Sequence, residues 1–128
     1  MSSLMCMALV IFSEARGEPL KGKQAVAEVV ATRSIEWNKD VCGVIYQKGQ
    51  FTGIRNVKPP KEGTPARKEW EDCHAIAKKY VHDEKAVTKY KVKRPTNFTN
   101  RALYFNRGSS CSNGNYKITK IGNHVFCR

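Results

Sequence analysis

The chain has 128 residues, 41% hydrophobic and 27% charged, ordinary proportions for one soluble globular domain with a modest core. Its net charge is +12, from 23 Lys and Arg against 11 Asp and Glu. No apolar run approaches the roughly 20 residues of a membrane-spanning helix, which excludes a helical membrane protein.

The first element is the apolar run Leu4-Met5-Cys6-Met7-Ala8-Leu9-Val10-Ile11-Phe12, whose pattern predicts a buried helix. No basic residue precedes it, and a cleavage site after it would fall beside Glu14. It therefore reads as a structural helix and not as an export signal. Next comes Ser13-Glu14-Ala15-Arg16-Gly17-Glu18-Pro19, where Gly17 and Pro19 stop the helix and leave Glu14 near its end. A carboxylate held against an apolar helix is partly desolvated, which raises its pKa toward what a general acid needs near neutral pH. A solvated helix-end glutamate is the competing reading, and this segment alone leaves both open.

A second helix is predicted from about Lys21 to Ser34, with Ala25, Val26, Val29, Val30 and Arg33 on its buried face. The short connection from Gly17 to Gly22 makes the two helices neighbours. Arg16 and Arg33 read as braces of this helix pair. Trp37 to Pro60 reads as mostly loop, with Val44-Ile45-Tyr46-Gln47 as a helical turn or brief strand. Thr64-Pro65 then starts a third helix, Thr64 as cap and proline at the first helical position. That helix carries Trp70, Cys73, Ala77, Tyr80 and Val81 inward and ends near Glu84. Lys89 to Arg101 is polar and basic, and Ala102-Leu103-Tyr104-Phe105 reads as a short strand or a segment beside substrate. Lys117 to Ile121 and His124 to Cys127 alternate around Gly122-Asn123, which is a hairpin signature. Together these elements predict a mainly helical α+β fold.

Cys6, Cys42, Cys73, Cys111 and Cys127 show no CxxC pair, and an odd number cannot all pair within the chain. Cys6 and Cys73 are expected as core residues, with the thiols reduced, although Cys111 and Cys127 flank the hairpin and can approach each other. The histidines are His74, His82 and His124, and there is no HExxH. His74 and His82 would stand about 12 Å apart along one helix, too far to share an ion. No metal or cofactor is expected, and no GxSxG, P-loop or GxGxxG occurs. A cysteine nucleophile with a histidine partner has no local motif to support it.

Glycosidic bond cleavage normally uses two carboxylates. Most of the acidic residues from Glu62 onward fall on the exposed face of the third helix. Glu18 follows Glu14 by four residues, but the turn at Gly17 leaves its direction undetermined. With no second partner evident, the pattern favours a mechanism that uses one carboxyl group and a group of the substrate itself.

Four separated pieces carry a family likeness. They are Ser13 to Pro19; Gly22 with Ala25-Val26-Ala27-Glu28-Val29-Val30-Ala31-Thr32-Arg33; Gly43 to Thr52; and Ala102-Leu103-Tyr104-Phe105-Asn106 with Ile121-Gly122-Asn123-His124-Val125-Phe126. In this order they resemble the catalytic domain of the spore cortex-lytic enzymes, the germination-type cell wall hydrolases. The resemblance implies a lysozyme-like single domain over residues 1–128 that cuts peptidoglycan glycan strands as a lytic transglycosylase. Glu14 matches the family's catalytic glutamate. Gln50, Phe51 and Thr52 are implied on one side of the sugar cleft, Tyr104, Phe105 and Asn106 on the other, and Glu18 and His124 in its polar network. For Phe51 and Phe105 a place in the core is an equal reading, and for His124 a role in capping the hairpin.

Spore-former members carry an export signal and a wall-binding repeat domain, and neither is recognised here. The expected role is thus a phage endolysin, held in the host cytoplasm until release to the periplasm and cell wall, and monomeric. Ten Lys and Arg and no acidic residue lie between Lys85 and Arg128. That field favours polyanionic partners, namely nucleic acid, anionic lipid or the bacterial wall, and charge alone does not choose among them. With the resemblance, anionic wall or outer-membrane polymers are expected beside the glycan strands. A muramidase, an N-acetylmuramoyl-L-alanine amidase and a non-enzymatic nucleic-acid-binding protein are the alternatives; no specific nucleic-acid partner is expected.

Overall fold

The computed structural model describes residues 1–81 and 92–128. Helix α1 (Ser3–Ala15) is the centre of the fold, and Cys6 through Phe12 are all buried. An almost continuously apolar helix has no face to give to water, so neighbours must surround it. Helices α2 (Leu20–Glu36), α3 (Val41–Ile45) and α4 (Pro65–Tyr80) pack on it, α4 most extensively. Each fully buried Ile, Leu or Val in this cluster contributes about 1.5–3 kcal/mol relative to exposure. No helix among the described residues is long and apolar enough to cross a membrane.

Local chemistry sets the helix ends. The Ser2 hydroxyl accepts the Met5 N–H at 3.0 Å, and the Asp40 carboxylate accepts the Gly43 N–H at 2.6 Å. Gly17, with φ +81°, breaks α1 from α2, and its N–H donates to Glu69 on α4 at 3.2 Å. Of the segment Val44 to Gln47, Val44 and Ile45 end helix α3 (Val41–Ile45), Tyr46 is its C-cap and Gln47 lies beyond it. Thr64 precedes α4 without capping it; its hydroxyl donates instead to the Lys61 carbonyl at 2.6 Å. Trp70, Cys73, Ala77, Tyr80 and Val81 are buried as the spacing predicts. The helix stops at Tyr80, where Val81 turns extended and bridges to Val92. The expected end near Glu84, and His82, lie outside the described residues.

The C-terminal hairpin, β2 (Lys117–Ile121) and β3 (His124–Cys127), gains a third strand, β1 (Tyr104–Arg107). The order β1-β3-β2 is antiparallel throughout, with Tyr104 opposite Cys127 and Arg107 opposite His124. As the central strand, β3 is buried at every residue. A buried carboxylate fastens α2 to the segment before the sheet. Glu28 accepts from the Thr96 hydroxyl (2.6 Å), the Phe98 and Thr99 N–H groups (both 2.9 Å) and the Thr99 hydroxyl (2.7 Å).

The cysteines depart from the reduced state expected of them. Cys6 is bonded to Cys42, and Cys111 to Cys127; only Cys73 is free, and it is buried. Cys6 is a core residue as anticipated, but its partner comes from α3, 36 positions away. Helical periodicity places Cys6 inside without identifying what meets it there.

Candidate active site

Glu14 stands one residue before the end of α1 and is half-buried. Burial raises its carboxyl pKa, opposed in part by the positive charge of Arg107 at the end of β1. Among the described residues its carboxylate accepts no hydrogen bond and forms no ion pair. Ser13, just before it, and Arg16, two positions after it, line a cavity of about 320 Å3 with Phe12, Asn56 and Lys58. Arg16 lies over the Phe12 ring at 4.2 Å, so it covers its own helix and does not tie α1 to α2.

The other carboxylates near Glu14 in sequence are occupied. Glu18, 6% exposed, accepts the Asn123 N–H at 2.9 Å and its side-chain amide at 3.3 Å. His124 Nδ1 comes within 3.2 Å of Glu18 Oε1 but out of line for a hydrogen bond. Burial lowers the His124 pKa; Glu18 works against that shift and Arg107 adds to it. The imidazole is therefore neutral at neutral pH, and it packs edge-on to Phe105 at 5.3 Å. Glu18 and His124 thus sit in a buried brace at the hairpin turn, not on an open wall. Glu69 pairs with Lys23 at 2.6 Å; burial raises its pKa, but hydrogen bonds from Lys23 and Gly17 and the charges of Lys23 and Arg16 together bring it below the usual value.

Of the remaining predicted residues, the fold gathers Gln50, Tyr104, Phe105 and Asn106 around one pocket of about 340 Å3. Thr52, exposed, belongs to an adjoining pocket of about 440 Å3 with Phe51. Gly49 and Gly53, with φ +81° and +87°, bend the chain on both sides of this segment. Phe51 is 7% exposed and packs on Phe105 at 6.0 Å, and Phe105 packs on Phe126 at 5.7 Å. Both rings therefore have core partners, Phe105 while also lining the pocket. Asn106 folds the loop after β1, donating to the Arg107 and Ser110 carbonyls at 2.9 and 3.0 Å.

Three features escaped the sequence reading. Arg107 supplies the charge felt by both Glu14 and His124, and only the pairing of β1 with β3 puts it there. The loop residues Ser112, Asn113 and Asn115 form a pocket wall. Their turn-rich composition beside Cys111 was the available signal. Arg33 lines the same pocket, and its Nε donates to the Leu103 carbonyl at 2.6 Å. It braces α2 to the chain entering β1, and not to α1. Burial lowers its pKa to about 10, so it stays charged at neutral pH. Among the described residues no three His, Cys, Asp or Glu side chains converge as a metal site.

Known proteins place this architecture. A spore cortex-lytic enzyme of Bacillus cereus is 31% identical over 135 aligned residues, covering 99% of this chain and 44% of that protein. The spore cortex-lytic enzyme of Oceanobacillus iheyensis is 29% identical over 132 residues, covering 99% and 42%. The chain thus spans less than half the length of these relatives. Among solved structures, the catalytic domain of the Bacillus cereus SleB protein superposes with a TM-score of 0.65 at 26% identity, covering 98% of this chain and 89% of that one. The catalytic domain of the germination-specific lytic transglycosylase SleB from Bacillus anthracis gives 0.65 at 25% identity, covering 98% and 93%. The lysozyme-like α+β fold is therefore shared. The sequence profile of the cell wall hydrolases matches residues 17–127, starting just after Glu14. By that match and these relatives, the chain belongs to the cell wall hydrolase family.

Proposed function

We propose that the protein cleaves the MurNAc–GlcNAc bond of peptidoglycan as a lytic transglycosylase, with Glu14 as its one catalytic carboxyl group. The observation that carries this reading is the contrast between Glu14 and its neighbours. Glu14 is half-buried, raised in pKa and unengaged among the described residues, while Glu18, Glu28 and Glu69 are held by structural partners. A retaining or inverting hydrolase needs a second carboxylate in reach, and those three are committed to holding the fold.

In the proposed reaction Glu14 donates its proton to the glycosidic oxygen as the bond to the muramic-acid C1 breaks. The carboxylate then takes the proton of the C6 hydroxyl on the same sugar, and O6 closes on C1. The product is a 1,6-anhydro ring, no water is consumed, and Glu14 returns to its acid form. Gln50, Tyr104, Phe105 and Asn106 are the proposed wall of the sugar cleft, with Phe51 and Thr52 beside it. Glu18 and His124 serve it by positioning the hairpin. Residues 1–128 act as one catalytic unit in this reading, and the basic C-terminal half favours anionic wall polymers. An endolysin role extends the reading; holin or spanin genes beside this one support it, and a spore-coat gene neighbourhood overturns it.

Digestion of purified peptidoglycan followed by mass spectrometry tests the chemistry. Anhydro-muramic ends are expected. Reducing muramic ends would make the protein a muramidase, and free stem peptides an amidase. Glu14→Gln is expected to abolish cleavage with the fold intact; substantial residual lysis would remove Glu14 from its role.

A further inference from the structure

A cation removed from water is strongly unfavourable unless an anion or a full set of acceptors meets it. Arg33 is 4% exposed, and its Nη1 is buried without a hydrogen-bond partner among the described residues. The acidic residues in ion pairs among the described residues are Glu36, Glu62, Glu69 and Glu71, each with a cation other than Arg33, and Glu18 faces the neutral His124. The rings of Trp37, Phe51 and Tyr104 stand 4.9, 5.0 and 5.4 Å from the guanidinium carbon. Aromatic faces offset part of the desolvation, but they leave Nη1 without an acceptor among the described residues, while Nε–H is held by the Leu103 carbonyl.

Arg33 also lines the pocket of about 340 Å3 that holds Gln50, Asn106, Ser112, Asn113 and Asn115, and among the described residues no acidic one lines it. A lone guanidinium among neutral amides and hydroxyls is matched to one planar anion, because its fork pairs with a carboxylate through two parallel hydrogen bonds. Strand β1 runs from Tyr104 in this pocket to Arg107, whose charge reaches Glu14, about 10 Å further along the chain.

We propose that this pocket is a carboxylate subsite in which Arg33 receives an anionic group of the glycan strand while the side chains of Gln50, Asn113 and Asn115 hold the neutral groups around it. The subsite rests on the peptidoglycan reading above. Muramic acid offers two sources of the same chemistry. One is the lactyl carboxylate of a peptide-free sugar, and the other the carboxylates of a stem peptide.

The test is calorimetric binding of soluble glycan-strand fragments to the Glu14→Gln protein, in 0.5 M salt so that the general positive field is screened. Peptide-bearing and peptide-free fragments are each compared before and after amidation of their carboxylates. Amidation is expected to weaken binding at least about tenfold. Adding Arg33→Gln makes the native and amidated forms bind alike, whereas adding Lys68→Gln, on the exposed face of α4, preserves the difference. An effect seen only with peptide-bearing fragments assigns the stem peptide; one seen with peptide-free fragments assigns the lactyl group. Equal binding of native and amidated fragments overturns the subsite, and so does an amidation effect that survives in Arg33→Gln. Should Arg33→Gln fail to fold, Arg33→Lys replaces it and is expected to show a reduced amidation effect; an undiminished one overturns the subsite. Carboxylate-dependent binding with no cleavage by the unmodified protein removes the transglycosylase reading alone, and cleavage without carboxylate dependence removes the subsite alone.

Discussion

Glu18 holds Asn123 by two hydrogen bonds, one from the backbone N–H at 2.9 Å and one from the side-chain amide at 3.3 Å, across 105 residues of sequence. The carboxylate that ends the α1–α2 turn is thereby fastened to the tip of the β2–β3 hairpin. Because β3 also pairs with β1, this clamp helps to set where Arg107 stands relative to Glu14.

The clamp makes Gly122 hard to replace. Its φ is +59°, and an added Cβ would lie 3.0 Å from Glu18 Oε2. Gly122→Ala therefore meets both backbone strain and a carboxylate that is itself buried. We expect a loss of about 1–3 kcal/mol in urea denaturation. Unchanged stability would mean that the clamp carries no strain-sensitive contact.

Glu14 predicts a pH-dependent stability. Its folded pKa lies above the unfolded value of 4.5 because burial disfavours the ionised form. The unfolded chain therefore loses this proton first as pH rises, and the group destabilises the fold above about pH 4.5. Glu14→Gln should raise the melting temperature at pH 7 and have little effect at pH 3. A gain that is equal at both pH values would contradict the desolvation account.

Arg107 predicts a shift in the pH–rate profile. Its charge lowers the Glu14 pKa, against the larger effect of burial. With Arg107→Met that opposition is gone, and the acid form of Glu14 persists to higher pH. The alkaline limb of peptidoglycan cleavage should move upward. A downward or absent shift in turbidity-based rates across pH would separate Arg107 from Glu14.

The cysteines predict both thiol counts and stability. With Cys6–Cys42 and Cys111–Cys127 bonded, and burial pushing the Cys73 thiol pKa up to about 12, the native protein should show no reactive thiol. One should appear on unfolding and five after reduction. Cys111→Ser, which opens a loop between residues 16 positions apart, should cost about 3 kcal/mol in urea denaturation.

The helices and the hairpin were legible because their signals are local. The apolar run of α1, the 3.6-residue spacing of α2 and α4, the stop at Gly17 and the Gly122-Asn123 turn each sit within one stretch of chain. The position of Glu14 at the end of a buried helix was legible for the same reason. What surrounds that residue was not. The disulfide of Cys6 with Cys42, the engagement of Glu28 by Thr96, Phe98 and Thr99, the clamp of Glu18 on Asn123 and the approach of Arg107 all join residues at least 36 positions apart. Periodicity tells which residues leave water, but not which ones meet. Desolvation and Coulomb forces depend on those meetings. The sequence alone thus determined the fold class and the place of Glu14 at the end of a buried helix. The tertiary structure decided which carboxylates are committed to bracing, and which cation stands without an ion-pair partner among the described residues, beside the proposed cleft.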